Sequence, residues 1–295
     1  MNDARPSPAT ILITGGAGFI GSHLAEMFLR EGLRVSVLDN LSTGREENIA
    51  PFQAHPNFRF VRGEVTDEQA VQALADEAEV ILHLAAAVGV RLVVEHPARC
   101  IETNVRGTEV VLKAALPRKR FVLVASSSEV YGKGLRIPFR EDDDVLLGPT
   151  CRPRWAYAAG KMTAEFLALA AHREHGLPAI VFRLFNTVGP RQTGRYGMVV
   201  PRLVRQALRG KPLEVYGDGM QTRCFCDVRD VVAALNALVR RPDAAGGVFN
   251  IGGTKEISIL QLAEKVKEVS GSASPIQLTP FSAVFPADFE DMGRR

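Results

Sequence analysis

The sequence predicts an α/β protein: a doubly wound parallel sheet with helices on both faces and a smaller, C-terminal substrate-binding lobe. Three observations predict it. Apolar runs alternate with helical patterns through the first two-thirds of the 295 residues. Those runs are rich in Val, Ile and Leu, as strands buried on both faces must be. After about residue 186 the alternation gives way to longer loops rich in Gly, Pro and Arg.

The first strand is "TILIT" (10–14), which runs into a glycine cluster, and the helical stretch "GSHLAEMFLREG" (21–32) follows and stops at glycine. Further strands are expected at 34–39, 58–65, 80–86, 121–127 and 179–185, with helices at 67–76, 103–116 and 156–174. Residues 1–186 are read as a dinucleotide-binding domain that also holds the catalytic groups. Residues 187–295 are read as mainly the substrate lobe, which returns strands to the first. The chain shows no internal repeat and no low-complexity segment.

Apolar residues make up 46% and charged residues 23%, an ordinary soluble balance. A net charge of +3, with basic residues scattered, argues against nucleic acid as a partner. The longest apolar run, "VILHLAAAVGV", is about half of what a bilayer requires and contains a histidine, so no membrane partner is expected. "MNDARPSPAT" has no apolar core and is read as a frayed leader rather than a signal peptide, which makes the cytoplasm the expected compartment. Cysteines 100, 151, 224 and 226 form no C-x-x-C pair. Cys224 and Cys226 are expected to face the same side of one strand. Zinc, a disulfide and plain packing compete for them, and packing is the expectation, with no metal site. "HREH" (172–175), at a helix end, is expected on a solvated surface.

"TGGAGFIG" (14–21) follows the first strand and opens the first helix. Gly15 permits the tight turn, Gly18 lets a pyrophosphate approach the backbone, and Gly21 lets helix and strand pack closely, with Phe19 and Ile20 in the same turn. The helix N-terminus then faces the phosphates, the Rossmann-type arrangement for a dinucleotide. Asp39 ends the second strand, followed by Asn40. A carboxylate there accepts from a ribose 2′-hydroxyl and repels a 2′-phosphate, favouring NAD over NADP, a preference that nearby Arg45 softens. Glu64 and Val65 of "GEV" are placed near the adenine. Leu84, Ala85 and Ala86 end the fourth strand where the cofactor crosses the sheet, although as isolated residues they fit an ordinary core equally well.

"WAYAAGK" (155–161) puts Tyr157 and Lys161 one helical turn apart on one face. An ammonium beside a phenol favours the phenolate, which can take a proton from an alcohol whose carbon gives a hydride to NAD. The hydroxyl of Ser127 would hold the same alcohol oxygen. Each signal is weak alone. Their order along the chain is the one this cofactor fold requires.

With "TGGAGFIGSHL", "LDNLSTG", "HLAA", "SSSEVYG", "YAAGK", "RLFNTVGPRQ" and "VYGDGMQTRCF", spread over almost the entire chain, the sequence resembles the extended short-chain dehydrogenase/reductases, in the nucleotide-sugar epimerase/dehydratase family. The resemblance implies a nucleoside-diphosphate sugar as substrate, transient oxidation at its C4, a tightly held NAD and a homodimer. By matching position it makes Ser127, Tyr157 and Lys161 the catalytic trio. Ser128, Asn186, Val199, Tyr216 and Arg223 become contacts to the sugar nucleotide, with Arg223 on the diphosphate. Tyr216 is either a platform for the base or a core aromatic. Glu64 departs from the family's more usual Asp, which puts its adenine contact in doubt.

Glu129 divides the family. Plain 4-epimerases carry a small or hydroxyl residue there, whereas members that act further at C5 or C6 carry a carboxylate. Oxidation at C4 makes C5 acidic, or turns a C6 carboxylate into a β-keto acid that loses CO2. Ser128 stands where thymidine-diphosphate sugar dehydratases have an aspartate. The stretches "EDDDVLLGPTCRPRWAYAAGK" and "TRCFCDVRDVVAAL" most resemble the UDP-glucuronate decarboxylase branch. That resemblance places an arginine near the C-terminus, here Arg295, against the substrate carboxylate, and implies that the family's final helix and strand are missing. The reading is a UDP-glucuronate decarboxylase with a UDP-linked substrate. A 4-epimerase, a 4,6-dehydratase and a non-catalytic NAD-binding regulator are its alternatives, and Glu129 as a surface or helix-cap carboxylate remains open.

Overall fold

The computed structural model describes residues 9–88, 95–134, 136–194 and 198–284. Seven parallel strands form the central sheet: β1 (Thr10–Thr14), β2 (Arg34–Asp39), β3 (Phe58–Arg62), β4 (Val80–His83), β5 (Phe121–Ser127), β6 (Ala179–Leu184) and β11 (Val248–Ile251). Their order across the sheet is β3-β2-β1-β4-β5-β6-β11. Every pairing is parallel, so every connection crosses a face of the sheet. The order reverses between β1 and β4, and such a switch point opens a crevice at the carboxyl ends of the strands.

Both faces are covered. Helices α1 (Phe19–Arg30) and α7 (Val228–Val239) bury Leu24, Phe28, Val231 and Leu235 against Ile11, Ile13, Val35 and Val37 on one side. Helices α3 (Glu68–Glu77), α4 (Pro97–Ala115) and α5 (Trp155–His175) bury Val71, Leu74, Val110, Val111 and Ala168 against Leu12, Ile81, Val122 and Val181 on the other. A short helix α2 (Glu46–Ile49) follows β2.

Residues beyond 186 build a third apolar cluster. Helix α6 (Val199–Leu208), strand β8 (Leu213–Tyr216) and helix α8 (Ile259–Ser270) pack Leu203, Leu213, Val215, Ile259 and Ala263 together. Three two-stranded ribbons accompany them. Strand β7 (Thr187–Val188) pairs with β10 (Cys226–Asp227), β9 (Thr222–Cys224) with β12 (Glu256–Ser258), and β8 with β13 (Ile276–Thr279).

The elements depart from expectation at their ends. Strands β3 and β4 stop at Arg62 and His83, before the expected 65 and 86, because "GEV" and "LAA" leave the sheet to line the crevice. Helix α1 starts at Phe19, inside the glycine motif, and α4 starts at Pro97, a residue suited to the first helical position because its missing N–H has no partner there anyway.

The cysteines also need correcting. Cys224 and Cys226 do not share a strand. Cys224 lies in β9, opposite Glu256, and Cys226 lies in β10, opposite Thr187, so the chain changes partner at Phe225. All four cysteines have free thiols. His175 is exposed as expected, but His172 is half-buried, with Nδ1 2.9 Å from the Leu177 carbonyl. Among the described residues no helix is long and apolar enough to cross a membrane, and no cluster of His, Cys, Asp and Glu could hold a metal ion.

Candidate active site

A cleft of about 900 Å³ opens at the switch point and runs from the glycine loop to α6 and Tyr216. Every site residue expected from the sequence lines it, except Arg295, which lies outside the described residues.

The glycine loop closes tightly at one end. Gly15 has φ +75, a conformation that side chains disfavour, and a Cβ there would sit 2.7 Å from the Ala85 nitrogen. At Gly21 a Cβ would meet the Gly15 carbonyl oxygen at 2.4 Å, so the first turn of α1 must be bare. Gly18 caps α1 without a side chain, which leaves the helix N-terminus facing the cleft. Asp39 is buried beside the loop. Its Oδ2 accepts from the Ala17 amide at 3.0 Å and its Oδ1 from the Leu41 amide at 2.8 Å. Burial pushes this carboxyl upward, while the backbone donors oppose the shift. With backbone donors on both oxygens the carboxylate still has acceptor capacity for a ribose hydroxyl, and its charge opposes a phosphate. Asn40 donates to Glu64 at 2.8 Å, and the Arg45 guanidinium lies 3.5 Å from the Thr193 hydroxyl. Bare loop, helix terminus and carboxylate together fit NAD.

A buried chain of hydrogen bonds fixes the end of β4. The Thr108 hydroxyl gives its proton to the Asn104 carbonyl at 2.7 Å, so it must accept from His83 Nε2 at 3.0 Å. His83 Nδ1 is then the acceptor for the Thr14 hydroxyl at 2.8 Å, which in turn accepts from the Ala85 amide at 3.3 Å. The imidazole is therefore neutral. Burial, with the Lys161 charge as a smaller contribution, lowers it to about 3. Asn104 grips the next residues from α4, accepting from the Ala87 amide at 2.9 Å and donating to its carbonyl at 3.3 Å.

Ser127 ends β5 and caps the following turn, its hydroxyl accepting from the Glu129 amide at 3.3 Å. Tyr157 stands in the first turn of α5 and packs with Ala156 against Ala87 and Cys100. One turn on, Lys161 is buried and donates to the Ala125 carbonyl at 2.9 Å. Burial lowers the lysine to about 8, against the pull of Cys100 and Glu165. Glu129 pairs with Arg154, Oε2 to Nη2 at 3.3 Å. Ser128 is buried beside them.

At the other end Asn186, between β6 and β7, donates to the Cys224 carbonyl of β9 at 3.0 Å. Val199 opens α6. Tyr216 carries the Arg202 guanidinium over its ring at 4.1 Å, and Arg223 donates to the Thr222 carbonyl at 2.8 Å. Sequence reasoning missed Arg154, Asn104 and Arg202. Arg154 had a signal, since a basic residue three before Tyr157 falls on the same helical face. The others had none beyond composition.

The model of the NAD dependent epimerase/dehydratase family matches residues 11–252. The chain belongs to that family. It is an NAD-dependent enzyme, and NAD is the cofactor that the glycine loop and Asp39 fit. Among its relatives, a UDP-N-acetyl-alpha-D-glucosaminuronate decarboxylase from Bacillus cytotoxicus is 42% identical over 285 residues, covering 96% of this chain and 87% of that protein. UDP-glucuronic acid decarboxylase 1 from Arabidopsis thaliana is 40% identical over 276 residues, covering 94% of this chain. This chain spans 62% of the plant protein's length. A solved structure of dTDP-glucose 4,6-dehydratase from Bacillus anthracis, in complex with NAD, shares the fold with a TM-score of 0.83 and 30% identity, covering 97% of this chain and 86% of that one.

Proposed function

We propose that this family member is a decarboxylase of a UDP-linked hexuronate, with UDP-glucuronate as its substrate. One observation carries the reading: Glu129, ion-paired with Arg154, lines the same cleft as Ser127, Tyr157 and Lys161. A carboxylate there has no task in plain epimerisation and has one when chemistry continues at C5 and C6. The names of the bacterial and plant relatives support the same reaction. The bacterial relative also supports a second reading, in which the sugar carries an acetamido group at C2.

NAD, when bound, supplies the hydride acceptor and donor for C4. Tyr157, as phenolate, takes the proton of the C4 hydroxyl, and the ammonium of Lys161 favours that phenolate. Ser127 holds the C4 oxygen by a hydrogen bond. The C6 carboxylate is then β to a ketone. The C5–C6 bond breaks, CO2 leaves, and the electron pair passes to the C4 oxygen as an enolate. Ser127 and Tyr157 stabilise that charge as donors. Glu129 serves this middle step: once CO2 has left, the carboxylate takes a proton from solvent and passes it to C5, which gains it in place of CO2. Tyr157 finally returns its proton to the C4 oxygen.

Residues 1–186 are read as the part that holds NAD and the catalytic groups, and 187–295 as mainly the nucleotide-sugar side. There Arg223 is assigned the diphosphate, and Tyr216 and Asn186 the nucleoside and sugar. We infer a homodimer in the cytoplasm. Phe166 is 65% exposed on α5 and Ile101 42% exposed on the adjoining α4, an apolar pair suited to a second copy. Free thiols suit a reducing compartment.

Incubation of the protein and NAD with UDP-glucuronate, UDP-N-acetylglucosaminuronate and UDP-glucose, followed by mass spectrometry, tests the reading. The expected product of a uronate is a UDP-pentose lighter by one CO2. A product of unchanged mass, epimerised at C4, would make the protein an epimerase.

A further inference from the structure

Arg154 stands just before α5, three residues ahead of Tyr157. Its side chain is 7% exposed, lines the cleft and reaches Glu129 Oε2 at 3.3 Å. The guanidinium also lies over the Trp155 ring at 5.1 Å, and the Lys133 ammonium approaches the same indole at 5.7 Å. The indole cannot move aside easily. It packs so closely on Gly148 that a Cβ there would meet Trp155 Nε1 at 2.1 Å. The guanidinium is thus held on a fixed aromatic surface, turned toward one carboxylate.

A buried ion pair is a poor source of stability, because desolvation cancels much of the attraction. Its value here lies in what it does for a ligand. The proposed function, on which this inference rests, brings a second carboxylate beside Glu129. Two carboxylates sharing a site repel, and one of them is driven to take up a proton. A protonated C6 acid loses CO2 poorly, since the departing CO2 must leave its electron pair behind. The cleft also contains Glu102, Lys161, Arg99, Arg202 and Arg223, and Arg154 forms an ion pair with Glu129.

We propose that Arg154 is the counter-charge that lets an acidic sugar bind beside Glu129, and that it thereby sets the preference of this enzyme for uronates over neutral hexoses. Arg154 acts through Glu129 as a positioning and specificity-determining residue. The oxidation at C4 does not call on it.

The test is a double-mutant cycle read by calorimetry with NAD-loaded protein, in a Tyr157→Phe background that keeps the ligand from turning over. The ligands are UDP-glucuronate and UDP-glucose, which share the nucleotide and differ at C6. Arg154→Met should weaken UDP-glucuronate by roughly 30-fold or more, the usual effect of stripping one partner from a buried charge pair, and UDP-glucose by less than about threefold. Arg154→Lys should keep most of the preference. Adding Glu129→Gln to Arg154→Met should restore most of the lost uronate affinity, because the repelling carboxylate is gone. Glu129→Gln alone should tighten UDP-glucuronate relative to UDP-glucose, which keeps the proposal testable if Arg154→Met does not fold. Equal losses for the two ligands, or no recovery and no tightening with Glu129→Gln, would overturn it. If wild-type protein releases CO2 from neither uronate, the functional reading falls and takes the inference with it. If CO2 is released and the cycle shows no coupling, the inference alone falls.

Discussion

Arg183 and Glu165 form a two-pronged ion pair behind the catalytic strand, Nε to Oε1 at 2.9 Å and Nη2 to Oε2 at 2.7 Å. Glu165 lies one turn beyond Lys161 on α5, and Arg183 is the β6 partner of Ser126 in the sheet. The Ser126 hydroxyl donates to the same glutamate. Arg183 also donates to the Tyr131 hydroxyl at 2.8 Å and the Glu141 carbonyl at 3.1 Å, and Tyr131 donates to Asn250 at 2.8 Å. One buried network thus ties the helix of Tyr157 and Lys161 to the strand that ends in Ser127.

Glu165→Ala leaves the Arg183 charge buried and should cost about 3–5 kcal/mol in a urea titration. Replacing both members, Glu165→Leu with Arg183→Met, should recover part of that loss, because the desolvation penalty goes too. A single-mutant cost below about 1 kcal/mol would mean that the network does not hold the helix in place.

The neutral His83 predicts an acid sensitivity. Its value falls from 6.5 in the unfolded chain to about 3 in the fold, so between these pH values the unfolded state binds more protons. Stability contributed by the neutral ring is therefore complete above pH 6.5 and is lost as pH falls toward 3, by on the order of 5 kcal/mol. His83→Gln should be less stable than wild type at pH 7 and lose less on acidification. Parallel melting curves of the two proteins across that range would expose a wrong assignment.

Lys161 predicts the opposite limb of an activity profile. Its ammonium, lowered by burial to about 8, favours the Tyr157 phenolate only while it is charged. The kcat/KM profile should therefore fall on the alkaline side as pH rises through about 8. In Lys161→Arg, whose charge persists, the residual activity should lack that limb. A limb that survives the substitution belongs to another group.

Asp39 predicts the cofactor preference. NAD should bind at least about tenfold more tightly than NADP, since a phosphate against this carboxylate costs more than about 1.4 kcal/mol. Asp39→Asn should narrow the ratio. Fluorescence titration with both cofactors measures it, and equal binding to the wild type would rule the argument out.

The sheet was legible because strands buried on both faces leave unbroken apolar runs, and the glycine loop because its bare positions are demanded by backbone contact at Gly15 and Gly21. Strand ends were not legible. "LAA" continues the apolar run of its strand and "GEV" carries no turn residue but its glycine, so neither marks where the chain leaves the sheet for the crevice. Strand β11 is four residues at the sheet edge, too short to show a period. In the site, the types of residue were readable one by one, while their pairings were not. Arg154 meets Glu129 and Asn104 meets Ala87 across 25 and 17 residues of chain, joined only when α4 and α5 pack beside β4 and β5. The cysteines show the same limit, since a change of partner at Phe225 leaves no mark in the residues around it.

Glu129 decides between the lyase and the epimerase. Glu129→Gln keeps the shape of the side chain and removes its capacity to exchange a proton. Oxidation at C4 depends on Tyr157, Lys161 and Ser127, so it should survive at least in part. Formation of the finished UDP-pentose should fall by roughly two to four powers of ten, the range for a missing acid–base group, because the enolate left by CO2 is not protonated at C5. A UDP-linked 4-keto sugar should then build up, detectable by mass spectrometry after rapid quenching. Its build-up would separate Glu129 from a merely structural carboxylate, whose loss would slow both halves alike. Tyr157→Phe provides the contrast: it should bind the sugar nucleotide, form no 4-keto species and keep less than about a tenth of the wild-type rate. If Glu129→Gln instead releases product at the wild-type rate, the carboxylate is a bystander, and the proton for C5 comes from solvent or from another group in the cleft.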